Sequence, residues 1–254
     1  MKTIAIITGA SSGLGKEFVK QIDLDNRLDE IWLCARRKER LEELANNLKH
    51  PTQIVEGDVT DPNWLKALAE KLASEQFQIH TLINSAGLGK SGAFSEIGLK
   101  ENGYIVEVNV LALTQICSIC LPYMMNQGRI LNIASVAAFL PQANFAVYAA
   151  SKAYVLSFSR ALNQELMDEK ITVTTVCPNP METEFFLHSG QKNKAQSVKN
   201  MGLEDVEKVV RMALKKSEKH KDISLSSFIS KAIRLVSRIF PHPFILKVEK
   251  LIGF

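Results

Sequence analysis

At 254 residues the chain is long enough for one α/β domain with a sizeable core. Its hydrophobic share of 46% and charged share of 23% are those of an ordinary globular protein, and a net charge of +4 is too small to point to nucleic acid. No apolar run approaches the ~18 residues of a membrane span, and MKTIAII meets a glycine turn too early for a secretory signal, so the cytoplasm is the expected compartment.

The first element is an apolar run, Ile4 to Ile7, that reads as a buried strand of a parallel sheet. It leads into a turn carrying Gly9, Ser11, Ser12, Gly13, Leu14 and Gly15. Helical patterning resumes at Phe18 and Val19. A strand, a glycine turn and a helix N-terminus make an anion site, because free N–H groups and the positive dipole end point outward. The expected ligand is a dinucleotide pyrophosphate. The turn lacks the Gly-Lys-Ser/Thr ending of a P-loop, which disfavours ATP hydrolysis.

Strands and helices then alternate. Residues 31–35 are the second strand, followed by a charged helix over 37–48 and a third strand over 52–58. Asp61-Pro62 opens a helix with Trp64, Leu65, Leu68 and Leu72 at helical spacing. A fourth strand with its turn covers 81–87, a long helix 100–126 and a fifth strand 129–135. A helix over 145–168, a sixth strand over 171–178 and a helix over 204–216 complete the pattern. The polar stretch 181–202 reads as a mobile loop at the mouth of the sheet. The alternation predicts an α/β fold, a single Rossmann-type doubly wound parallel sheet with helices on both faces. Residues 1–221 are its dinucleotide-binding and catalytic domain, and 222–254 a C-terminal amphipathic extension of the same domain. Cys34 and Cys177 lie in strand-like runs, and Cys117 and Cys120 lie inside a helical pattern. All four read as buried small apolar side chains. The histidines show no ligand spacing, so no metal site is expected.

Ligands of such sheets sit beyond the carboxyl ends of the strands. There the glycine turn follows strand one, Arg36 and Arg37 follow strand two, Asp58 ends strand three, Asn84-Ser85-Ala86-Gly87 ends strand four, Ser135 ends strand five, and Pro178 to Thr183 follows strand six. An acidic residue at the end of strand two would hold a 2′-hydroxyl. Ala35 stands there instead, and the guanidinium of Arg36 suits a 2′-phosphate; Arg37 equally begins a solvated helix face. Tyr148 and Lys152, four apart, share a helix face. A lysine ammonium beside a cationic nicotinamide is expected to favour the phenolate and make Tyr148 a usable acid/base, with Ser135 hydrogen-bonding the same substrate oxygen.

TGASSGLG, the NSAG turn, Asn109 in VNV, Ser135, YAASK and PNPMET together resemble the short-chain dehydrogenase/reductase family over about residues 2–216. The resemblance implies a tyrosine proton donor or acceptor at Tyr148, a substrate-orienting Ser135, a ribose-binding and pKa-lowering Lys152, and an Asn109 that holds a water in a proton relay. It implies cofactor contacts from Gly9, Ser11, Ser12, Gly13, Leu14, Gly15, Arg36, Arg37, Asp58, Val59, Asn84, Ala86, Gly87, Tyr148, Lys152, Pro178 and Thr183. Asp58 would contact adenine and Thr183 the carboxamide. Arg36 favours NADP(H) over NAD(H). The chain departs from the family at Ser85 and Asn179, where asparagine and glycine are usual, and at Ser12, where NADP users often carry a basic residue. Asparagine tolerates positive φ, so the turn at Asn179 is expected to survive. The expected activity interconverts a ketone or aldehyde and an alcohol. The alternatives are a non-catalytic NADP-binding sensor or interaction protein, and a nucleotide-sugar epimerase, for which the length leaves little room. Partners are a small-molecule substrate, lined by residues 88–99 and 181–202, and further subunits of a homodimer or homotetramer.

The family core does not explain residues 222–254, which carry five basic residues against two acidic ones. Phe228, Ile229, Ala232, Ile233, Leu235, Val236, Ile239 and Phe240 form an apolar arc, with Lys231, Arg234 and Arg238 opposite. Pro241 and Pro243 end this helix, and Phe244, Ile245, Val248, Leu251 and Ile252 start a second apolar face. Packing on the domain or a partner subunit is the preferred reading, since most amphipathic helices face a core; weak contact with an anionic membrane surface is the alternative. Similar tails in hydroxysteroid and long-chain ketoacyl reductases imply an apolar, lipid-like ketone.

Overall fold

Strand β1 (Lys2–Thr8) is buried on both sides, with Ile4, Ala5, Ile6 and Ile7 fully inaccessible, as a parallel strand between two helical layers requires. The protein is described here by a computed structural model covering residues 1–74, 76–185 and 202–251. Along the chain follow α1 (Gly13–Ile22), β2 (Glu30–Ala35), α2 (Lys38–Ala45), β3 (Thr52–Glu56), α3 (Pro62–Ser74) and β4 (Phe77–Asn84). Next come α4 (Phe94–Ile97), α5 (Leu99–Val106), a π-helical turn (Glu107–Ala112), α6 (Leu113–Cys120), β5 (Met124–Ile133), α7 (Ala146–Glu165) and β6 (Thr172–Val176). The chain closes with α8 (Val206–Glu218), β7 (Ile223–Ser224), α9 (Phe228–Ile239) and α10 (His242–Leu251).

The seven strands form one parallel sheet in the order β3-β2-β1-β4-β5-β6-β7, the Rossmann-type doubly wound arrangement. Alternate residues of each strand feed two cores. Ile4 and Ile6 meet α3, the π-helical turn, α6 and α7 through Leu68, Leu72, Val108, Ile116, Val155 and Leu162. Ala5 and Ile7 meet α1, α2 and α8 through Phe18, Val19, Leu41, Val209 and Val210. The strand order reverses between β1 and β4, and the cleft opens there, at the carboxyl edge.

Several boundaries differ from the sequence reading. Strand β4 starts at Phe77, not at residue 81, and a bulge between Ile79 and Thr81 breaks its alternation. Residues 124–126 belong to β5 and not to the preceding helix, because Pro122 tightens the last turn to a 3₁₀ form over Leu121–Tyr123. Ser135 lies two residues beyond β5 and caps a 3₁₀ turn, Val136–Phe139. Strand β7 is too short for any periodicity to reveal. One helical segment, Leu99–Tyr123, is long and apolar enough to cross a membrane by length and composition alone, although polar residues interrupt its apolar run. In the fold it is a core helix, with Ile105, Val108, Leu113 and Ile116 buried. All four cysteines are buried and free, as expected. Among the described residues no His/Cys/Asp/Glu group has metal-binding geometry.

Candidate active site

The glycine turn supplies the cleft's floor. Gly9 has φ +68°, and a Cβ there would lie 2.8 Å from the Ala86 nitrogen; only glycine lets β1 and the β4 turn approach so closely. Thr8 fastens the two, its Oγ1 accepting from the N–H groups of Ser85 and Ala86 at 3.1 Å each. Ser12 stands at the N-cap of α1 but its side chain makes no capping bond, so the first-turn N–H groups are left for an external acceptor. Gly13 has φ +51°, and a Cβ there would lie 3.5 Å from the Thr183 side chain. Ser11, Ser12, Leu14, Val59, Ala86, Gly87, Pro178 and Thr183 all line a cleft of about 520 Å³. These features fit a dinucleotide: an uncapped helix start, a backbone cradle that a Cβ would fill, and a long groove.

Two expected cofactor residues lie outside the groove. Asn84 is buried, and its Nδ2 donates to Asn132 Oδ1 at 2.8 Å and Cys117 Sγ at 3.2 Å; it ties β4 to β5. Gly15 is packed beneath the turn, where a Cβ would meet Gly9 O at 2.1 Å. Both support the cradle without lining it.

The two arginines part company. Arg36 Nη1 donates to Tyr104 Oη at 2.9 Å and approaches Asp58 Oδ2 at 3.5 Å. Tyr104 donates to the same carboxylate at 2.6 Å, and Thr60 bonds its other oxygen. Burial raises the Asp58 pKa, but the Tyr104 and Thr60 hydrogen bonds and the Arg36 charge together hold it below the usual carboxylate value. Arg37 turns to the glycine turn, donating to Ser11 Oγ at 3.3 and 3.1 Å. It also donates to Glu184 at 2.7 Å, a carboxylate shared with Arg40. The hydrogen bonds from Arg37 and Arg40 pull the Glu184 pKa down to about 2. Sequence reasoning missed Tyr104, Arg40 and Glu184; nothing in their spacing joins them to Arg36 or Arg37.

At the other end of the groove, α7 carries Tyr148 and Lys152 on one face. The Tyr148 ring stacks on Phe145 at 4.2 Å and tilts against Phe185 at 5.5 Å. Burial pushes its phenol up to about 12, against a lowering hydrogen bond with Ser135. Lys152 does not offset it: its Nζ donates to Ile133 O at 2.8 Å and sits 5.7 Å from the ring centroid. Burial pulls the lysine down to about 8. Burial is the largest of the influences on the phenol.

Asn109 sits in the π-helical turn, where the widened ladder is a common device for placing a functional side chain. Its amide is already committed. Oδ1 accepts from Leu88 N at 3.0 Å, and Nδ2 donates to Leu88 O and Ser151 Oγ at 2.9 Å each. Ser151, also missed from sequence, donates on to Tyr148 O at 2.7 Å. Asn109 and Lys152 meet at Gly87, where a Cβ would lie 3.2 and 3.3 Å from their polar atoms. Asn179 does not adopt positive φ. Its Nδ2 donates to Ser227 Oγ at 2.8 Å, tying the β6 turn to the start of α9. Part of the expected substrate loop, residues 186–201, lies outside the described residues, as does Ile252 of the tail; the side chain of Leu251 is likewise not described.

The short chain dehydrogenase family profile matches residues 3–194. An NADP-dependent 3-hydroxy acid dehydrogenase of Schizosaccharomyces pombe is 33% identical, covering 85% of this chain and 88% of its own. A short-chain dehydrogenase of Sphingobium yanoikuyae, solved with NADPH, superposes with TM-score 0.79 at 27% identity over 95% of this chain and 97% of its own. A bulky-bulky ketone specific alcohol dehydrogenase of Comamonas testosteroni gives 0.74 at 26% identity, covering 95% of each chain. The chain belongs to the short-chain dehydrogenase/reductase family of NAD(P)-dependent oxidoreductases.

Proposed function

We propose that the chain is an NADP(H)-dependent carbonyl reductase that interconverts an apolar, lipid-like ketone or aldehyde and its alcohol, with Tyr148 as general acid/base. The observation that carries this reading is the meeting of Tyr148, Ser135 and Lys152 at one end of the groove. The relatives that use NADP or act on bulky ketones support it. A bound nicotinamide would supply or accept the hydride. Tyr148 Oη gives a proton to the carbonyl oxygen on reduction and takes it back on oxidation. Ser135 orients that oxygen, and Lys152 holds the ribose. The apolar substrate is supported by the walls of the groove beyond Tyr148, formed by Leu140, Phe145, Met181, Phe185, Ile229 and Ile233. Arg36, with Arg37 beside it, would hold the 2′-phosphate.

The raised phenol pKa sets a pH dependence. Tyr148, raised to about 12, stays protonated between about pH 6 and 9, while Lys152, lowered to about 8, loses its charge toward the top of that range, so ketone reduction is expected to be flat at first and to fall above about pH 8. Alcohol oxidation needs the phenolate, whose fraction rises about tenfold per pH unit below its pKa. Oxidation rates measured across that range should climb, and a flat oxidation profile would remove Tyr148 as the base. NADPH consumption on a ketone panel tests the activity itself; binding of NADPH without turnover of any ketone would favour the sensor.

Cofactor choice is tested at Arg36. A charge-assisted hydrogen bond contributes about 1.5–3 kcal/mol, so Arg36→Ala should weaken NADPH about tenfold to a hundredfold and leave NADH nearly unchanged. Equal losses for both cofactors would end the assignment.

A further inference from the structure

The outward face of α9 is apolar where a surface helix is normally polar. At about 100° per residue, Ile229 and Ile233 turn inward and line the groove. Phe228, Leu235 and Ile239 turn outward and are 84%, 59% and 62% exposed. The stripe continues past the Pro241 break onto α10, where Phe240 and Phe244 stack at 5.3 Å and are half exposed. No described residue covers it. Exposed apolar side chains scattered singly need no explanation, but a contiguous stripe along two helices marks a surface that meets something.

Charge identifies the partner. Helix α9 contains no acidic residue. Lys231 and Arg238 flank the stripe and are exposed, as is Lys247 on α10. Among the described residues none of the three is ion-paired. Their long side chains can lay methylenes along an apolar surface and extend their charges outward. An apolar stripe edged by unpaired cations matches the boundary between acyl chains and anionic head groups.

We propose that α9 and α10 dock the protein on an anionic phospholipid surface. Phe228, Leu235, Ile239 and Phe244 enter the acyl boundary, while Lys231 and Arg238 contact head-group phosphates. The inner side of the same helices walls the groove, so the docked enzyme holds its apolar pocket next to the bilayer. The proposal stands on the helix faces and does not depend on the reaction assigned above.

The test is co-sedimentation of the full chain with vesicles of phosphatidylcholine containing about 30% phosphatidylglycerol, and with phosphatidylcholine alone. Binding to the anionic vesicles is expected at low salt, with a large loss near 1 M salt, where the screening length falls to about 3 Å. Leu235→Glu/Ile239→Glu should cut the bound fraction about tenfold or more. Lys231→Glu/Arg238→Glu, at exposed positions, should abolish the preference for anionic vesicles. Circular dichroism and light scattering accompany each variant. No binding to anionic vesicles at low salt would overturn the proposal, and so would equal binding to both vesicle types. A chain that is dimeric, becomes monomeric with Leu235→Glu/Ile239→Glu and ignores vesicles would make the stripe a subunit interface, which overturns it too.

Discussion

Tyr148→Phe is expected to lower turnover by at least about a hundredfold, the usual reach of general acid–base catalysis, while NADPH affinity stays within a few-fold. The substitution removes one oxygen. The ring keeps its stacking on Phe145 and its contact with Phe185, so the groove keeps its shape. The hydrogen bond with Ser135 is lost, and the carbonyl oxygen has no proton donor at that point. Fluorescence titration with NADPH and steady-state rates on a productive ketone separate the two effects. Near-normal turnover would refute the proton role. A parallel loss of NADPH affinity would instead mean that the hydroxyl supports the cradle.

The second large effect is expected at Gly15. A methyl group there would lie 2.1 Å from Gly9 O, 2.6 Å from Gly9 C and 3.1 Å from Ala10 N. All three are backbone atoms that no rotamer change can move. Overpacking typically costs about 1–3 kcal/mol, and for a chain of this size each kcal/mol lowers the melting temperature by about 2–4 °C. Gly15→Ala should therefore melt about 2–12 °C lower, and its displaced turn should weaken NADPH by at least about tenfold. Gly103→Ala is the matched control. Gly103 lies in α5 with nothing within 4 Å of an added Cβ, so alanine there should be neutral or stabilising by about 0.5–1 kcal/mol. Equal melting temperatures for the two variants would mean that the turn has slack at Gly15.

What could be read from the chain alone followed from local constraint. The run Ile4 to Ile7 and the glycines after it announced a buried strand and an anion cradle, because no other residue types serve there. The Tyr148–Lys152 pair follows from helical spacing. The contacts that need tertiary placement were invisible. Nothing near Arg37 in sequence indicates that Glu184 shares it with Arg40, or that Tyr104 stands between Arg36 and Asp58. The strand β7 escaped because two residues have no period. Sequence shows the charge of Lys152 one turn from Tyr148 but not the burial around both side chains. The tail was read as one apolar arc, whereas Ile229 and Ile233 face the groove and Phe228, Leu235 and Ile239 face away.

The strand order has a consequence in time. Strand β1 lies between β2 and β4, and Lys2 pairs opposite Phe77. On a ribosome adding about 5–20 residues per second, the Ile-Ala-Ile-Ile run emerges several seconds before its second neighbour exists. Through that interval the most apolar strand of the sheet is an open edge, able to pair with any other extended chain. Of the two ladders that hold β1, the one with β4 is therefore the later to form during synthesis.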